Sequence, residues 1–161
     1  MLSRKHAQGR EHAAGHPAIT DQVTGLANRL HFELVYSYLF SGGTRGLMFT
    51  VMLLSVGGPD IVPEARLRAL GQKIQKTTRD SDLVAHVGQG RFVVLLLGTN
   101  LPGARVAADR IEMAIGGDWG GGVSVGLAVY TPEMQDSSEL LERADKALLA
   151  AEAAGGGIEF G

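Results

Sequence analysis

Cysteine is absent from this 161-residue chain, which excludes disulfides, a thiolate zinc site and a thiol nucleophile. That absence is compatible with a cytoplasmic setting, which is the location expected. An excess of one charge is also missing: 15 Lys and Arg stand against 17 Asp and Glu, for a formal net charge of −2. Neither a nucleic-acid polymer nor a polybasic membrane surface is therefore an expected partner. Long hydrophobic runs are lacking too. The longest, Leu47 to Val56, is too short to cross a bilayer, so no membrane insertion is expected. Met1 to Pro17 is polar and has no apolar centre of the kind a signal peptide carries. No Walker loop and no Rossmann fingerprint appears. Gly120-Gly121-Gly122 leads into a strand, so it lacks the helix N-terminus that a phosphate loop uses and reads as a turn. The histidines are scattered. No Ser–His–Asp set or metal cluster can be placed, which leaves new enzyme chemistry with little support and no metal or cofactor expected.

What is present is a 45% hydrophobic chain with regular apolar periodicity, enough for one domain with a proper core. Residues 1–17 read as a polar, mobile tail. His12 and His16 have the i, i+4 spacing that holds a metal on a helix, but a loosely helical extension or a docking segment accounts for them as well. Residues 18–161 form the expected domain.

Within it, helix and strand signals alternate. A helix is expected over Asn28–Phe40, with Leu30, Leu34 and Tyr38 toward the core, ended by Ser41-Gly42-Gly43. Gly46–Leu54 reads as a buried strand and Gly57-Gly58-Pro59-Asp60 as a loop. Pro63–Thr78 reads as a helix with Pro63 in its first turn and Ala65, Leu67, Leu70 and Ile74 on its apolar side. Strands Leu83–Val87 and Arg91–Leu97 flank a glycine turn, the signal of a hairpin. A helix over Pro102–Ile115 follows. A strand over Gly122–Tyr130 comes next, with Val123, Val125, Leu127 and Val129 on one face. The last helix, Ser137–Ala154, opens on a capping box from Ser137 or Ser138, and Ile158–Phe160 adds a short edge strand. The order α-β-α-β-β-α-β-α-β predicts an α/β sandwich on a mixed sheet of about five strands, because the central hairpin breaks a simple βαβ repeat.

Four motifs in order carry a family resemblance. Asp21-Gln22-Val23-Thr24-Gly25-Leu26-Ala27-Asn28-Arg29, Gly88-Gln89-Gly90-Arg91-Phe92, Ser124-Val125-Gly126-Leu127-Ala128 and Ala144-Asp145-Lys146-Ala147-Leu148 together resemble the conserved blocks of GGDEF domains, the diguanylate cyclases. The resemblance implies the nucleotidyl-cyclase-like sandwich and a place in bacterial second-messenger signalling. It also implies a GTP site with two Mg²⁺ ions, held by acids that fall here on Ser55 and Gly90, neither of which brings a carboxylate. The fourth hairpin position, normally Glu, is Arg91. The guanine-reading block between the first strand and the second helix is shortened to Gly57–Val62. The phosphate-contacting Lys and Arg fall on Glu152 and Gly156. The resemblance therefore implies a degenerate, non-catalytic domain.

A second site survives in the pattern. Arg79-Asp80-Ser81-Asp82 resembles the family's inhibitory Arg-x-x-Asp motif, which binds cyclic di-GMP, and Arg110 matches its second arginine. Arg79 is expected to fork onto guanine O6 and N7 or to stack on the base, and Asp82 to accept from the N1–H and N2–H₂ edge. The plainer readings are that Arg79 and Asp82 cap a helix end and a turn, that Arg110 is a surface arginine, and that His86 is a strand residue or part of the pocket rim. Two functions follow. One is a cyclic di-GMP receptor through Arg79, Asp82 and Arg110. The other is a nucleotide-independent scaffold that binds a protein partner or a second copy.

Overall fold

The computed structural model describes residues 16–57, 61–119 and 122–161. The polar tail except its last two residues, the loop at 58–60, and Gly120 and Gly121 lie outside the described residues. Helices α1 (Arg29–Gly43), α2 (Glu64–Thr77), α3 (Leu101–Trp119) and α4 (Ser137–Ala153) alternate with strands β1 (Phe49–Val56), β2 (Leu83–Gly88), β3 (Arg91–Leu97), β4 (Val123–Val129) and β5 (Gly157–Phe160). The sheet order is β2-β3-β1-β4-β5. β1 runs antiparallel to both β3 and β4, while β4 and β5 are parallel, so the sheet is mixed as expected.

Both faces of the sheet are covered. Met52, Leu54, Phe92, Val94, Leu96 and Leu127 face Leu67, Leu70 and Ile74 of α2 and Ile111 and Ile115 of α3. Phe49, Val51, Val93, Leu95 and Ala128 face Phe32 and Tyr36 of α1 and Leu140 and Ala144 of α4. β4 is therefore buried on two sides rather than one. Its second face is made of small residues because α4 lies almost on the strand: a Cβ at Gly126 would stand 2.4 Å from Ala144 O.

Several expected details differ. On α1 the residues expected in the core, Leu30, Leu34 and Tyr38, are exposed at 48%, 59% and 77%, and the buried face is Phe32, Tyr36, Leu39 and Gly43. Both sets fit a helical period. The second wins because Phe32, Tyr36 and Phe40 form tilted ring contacts above Phe49 and Tyr130, and Gly43 leaves room for the Tyr130 ring. The Tyr36 hydroxyl donates to Ser137 O and ties α1 to α4. Burial, together with nearby Asp136, pushes that phenol up to about 12. Pro63 sits just before α2 rather than in its first turn, and Ala65 is exposed while Gly71 is buried. The cap of α4 is Asp136, whose carboxylate accepts Ser138 N at 2.9 Å, not a serine capping box. β1 lies further along the chain than expected and includes Ser55, because its two neighbours pair with it as far as Ser55 and Val56.

Candidate ligand site beside the central hairpin

The hairpin is a two-residue turn. Gly88 pairs with Arg91, and the intervening Gln89 and Gly90 both have positive φ, 51° and 71°, the pattern of a type I′ connection. Gly90 is pressed against the end of β1: Val56 N donates to Gly90 O at 2.9 Å, and a Cβ at Gly90 would meet Val56 O at 2.5 Å. Ser55 lies opposite Arg91 on one side and Ser124 on the other. The Arg91 Nη2 pairs with Glu152 Oε1 at 3.4 Å, joining the hairpin to the end of α4. The fold thus gathers Ser55, Gly90, Arg91 and Glu152 at one end of the sheet. Gly156 lines a separate cleft with Gly122, Gly155 and Gly157. Among the described residues no group of three or more His, Asp or Glu side chains converges to hold a metal ion.

Arg79, Asp82 and Arg110 line one cavity of about 510 Å³, together with Met48, Thr99 and Val106. The chain reaches it by two routes. α2 ends at Thr77, and a turn closed by Asp82 N donating to Arg79 O at 3.0 Å leads into β2. β3 ends at Leu97, turns at Gly98, whose φ is +64°, and enters α3, where Asn100 Oδ1 accepts Gly103 N at 3.0 Å. α3 then carries Arg110 to the cavity wall. Arg110 is exposed and has no hydrogen-bond or ion-pair partner among the described residues.

The motif pair divides its work. The Asp82 side chain is 2% exposed. Its Oδ2 accepts Arg79 N at 3.1 Å and its Oδ1 accepts Leu97 N at 3.1 Å. Each oxygen accepts a backbone amide and the side chain is almost wholly covered, so in this conformation little of the carboxylate faces the cavity to read a guanine edge. Asp82 anchors the turn from which Arg79 projects. The Arg79 side chain is 61% exposed, and its Nη2 donates to Leu97 O at 2.7 Å and to Thr99 Oγ1 at 2.8 Å. Thr99 was not among the expected site residues. It lies beyond the motif and on the far side of the hairpin, and only the fold brings it to the guanidinium.

His86 is not part of that cavity. It is buried, and its Nδ1 lies 3.0 Å from Asp21 Oδ2, which also accepts Thr24 N at 2.9 Å and Thr24 Oγ1 at 2.7 Å. Burial works to raise the Asp21 pKa, but the bonds from Thr24 and the His86 ring outweigh it and hold the carboxyl below its ordinary value of 3.8. This network, with Ala27 N donating to Val84 O at 3.3 Å and His86 N donating to Ala27 O at 3.0 Å, lays the entry segment along the outer edge of β2. Leu26 then packs toward Gly71, where a Cβ would stand 2.8 Å from Leu26 Cδ1.

The architecture and motifs agree with known proteins. The family model for the diguanylate cyclase GGDEF domain matches residues 62–117. The probable diguanylate cyclase DgcC of Escherichia coli is 29% identical over 152 residues, covering 84% of this chain and 41% of that protein. The response regulator PleD of Caulobacter vibrioides is 28% identical over 158 residues, covering 86% of this chain and 35% of PleD. The chain thus spans well under half the length of these curated relatives. Among solved structures, the coiled coil and GGDEF domain of DgcB from Caulobacter crescentus, in complex with c-di-GMP, superposes with a TM-score of 0.81. The identity is 18%, and the match covers 99% of this chain and 93% of that one. The FimX GGDEF domain from Pseudomonas aeruginosa gives 0.80 at 19% identity, covering 89% and 99%. At these identities the structures speak for the fold. The family model, the curated relatives and the shared fold together make the chain similar to GGDEF domains.

Proposed function

We propose that this chain is a non-catalytic GGDEF domain that acts as a receptor for cyclic di-GMP. The observation that carries the reading is the shared cavity of about 510 Å³, lined by the exposed Arg79 and by Arg110, which has no partner among the described residues. Its size is in the usual range for small-ligand pockets. Two guanidinium groups suit a ligand with two purine rings and two phosphates, since arginine both stacks on bases and meets phosphate charge. A cyclase role has poor support at the hairpin. Ser55 offers a hydroxyl, Gly90 offers no side chain and has no room for one, and Glu152 is engaged by Arg91. These donors do not suit a pair of Mg²⁺ ions, which favour several anionic oxygens. That DgcB was solved with c-di-GMP is consistent with this choice of ligand.

Calorimetric titration of cyclic di-GMP into the wild type, Arg79→Ala and Arg110→Ala tests the reading. The wild type is expected to bind, and each variant to bind at least about tenfold more weakly, the loss of one good charged contact. In parallel, GTP with Mg²⁺ or Mn²⁺ is expected to yield no cyclic di-GMP. No binding at high micromolar ligand would overturn the receptor role, and protein-dependent turnover would overturn the non-catalytic one. A scaffold function is the second reading. It is favoured by the exposed Leu30, Leu34 and Tyr38, which line one side of α1.

A further inference from the structure

A guanidinium can grip a base edge with two parallel N–H bonds in two ways, through Nε with Nη2 or through Nη1 with Nη2. Each fork requires a hydrogen of Nη2. In this chain both Nη2 hydrogens are already taken, by Leu97 O at 2.7 Å and Thr99 Oγ1 at 2.8 Å, while Nε leans on Asp82 Oδ2 at 3.5 Å. The groups that hold Arg79 are themselves held. Thr99 is 8% exposed, and its carbonyl accepts Thr50 Oγ1 at 2.9 Å. What Arg79 still offers the cavity is Nη1 and the flat face of the guanidinium, beside the half-exposed apolar side chains of Met48 and Val106.

We propose that Thr99 is a specificity-determining positioning residue that locks Arg79 face-on. The site then takes the purine rings of a cyclic dinucleotide by stacking and a single N–H, not by the two-pronged grip expected from the motif. The inference rests on the receptor reading above and narrows it: the ligand class is cyclic dipurine nucleotides, with little choice between guanine and adenine. Stacking tolerates any base, because every base has a π-face. Arg110, without a partner among the described residues, meets phosphate whatever the base. The fork is what discriminates, by roughly 5- to 140-fold where it is made.

The test is titration of cyclic di-GMP and cyclic di-AMP into the wild type, Thr99→Val, Thr99→Ala and Thr99→Ser. The wild type is expected to bind the two ligands within about fivefold of each other. Thr99→Val and Thr99→Ala each free one Nη2 hydrogen, reopen a fork and are expected to raise the guanine preference above that ratio. Thr99→Ser retains the hydroxyl and is expected to behave as the wild type. A merely structural role for Thr99 would change both affinities together and leave their ratio alone. A wild type that prefers guanine by more than about fivefold, or a ratio unmoved in both hydroxyl-free variants, overturns the inference and leaves the receptor standing. Failure of the wild type to bind either ligand overturns both.

Discussion

Gly90→Ala is a direct probe of whether the hairpin can carry a side chain where the family carries an acid. Gly90 has φ +71°, and the added Cβ would lie 2.5 Å from Val56 O and 3.3 Å from Val56 Cγ2. A side-chain-bearing residue in the left-handed region costs about 1–2 kcal/mol. Forcing a methyl into a packed site adds roughly 1–3 kcal/mol when the neighbour is backbone that cannot swing away. The expected loss is therefore roughly 2–5 kcal/mol. For a chain of this size each kcal/mol moves Tm by about 2–4 °C, so a fall of roughly 4–20 °C is expected. Thermal unfolding followed by circular dichroism measures it. Rebuilding both acids as Ser55→Asp with Gly90→Glu meets the same obstruction, and chromatography of GTP reactions with Mg²⁺ is expected to show no cyclic product. A Gly90→Ala melt within about 2 °C of wild type, or cyclic di-GMP made by the double variant, would refute the steric reasoning.

Two further predictions concern the frame around the site. Asp21 has a folded pKa below its ordinary 3.8, so its contribution to stability is complete above that value and is lost as pH falls through the lowered one. Asp21→Asn, which strips acceptors from Thr24 and His86, is expected to cost roughly 1–3 kcal/mol at neutral pH. The gap to wild type should close below about pH 4; denaturant titrations across pH that show a constant gap would reject the network. Gly126→Ala places a Cβ 2.4 Å from both Ala144 O and Leu148 N and is expected to lower the urea midpoint, whereas Gly116→Ala, with open space at its Cβ, is expected to leave it unchanged or raise it. Equal midpoints for the two variants would contradict the close approach of α4 to β4.

Much of the fold was legible along the chain because its punctuation is local. β3 runs from Arg91 to Leu97 as expected, bounded by Gly90 and Gly98, both with positive φ. The element order and the mixed sheet followed from the same turn signals. The buried face of α1 was misread because Leu30, Leu34 and Tyr38 repeat as regularly as Phe32, Tyr36 and Leu39, and periodicity alone does not choose between two apolar stripes. The choice is made by Phe49 and the sequence-distant Tyr130, which the sheet stacks ring on ring and which demand aromatic partners of the right size. The end of β1 was misjudged for a related reason: Ser55 is not apolar, and strand pairing rather than composition carries it into the sheet.

The candidate site divides in the same way. Arg79, Asp82 and Arg110 were named in the sequence because they match motif residues of the family it resembles, and the fold places all three on one cavity. Sequence by itself also determined that Ser55 and Gly90 bring no carboxylate, since that depends only on which residue stands at each position. Only the tertiary structure decided that Asp82 spends its oxygens on the amides of Arg79 and Leu97, and that Leu97 O and Thr99 Oγ1 together take both Nη2 hydrogens of Arg79. Which groups a side chain has left to offer depends on the partners that folding brings to it. Here those partners come from the far end of β3, 18 and 20 residues away along the chain.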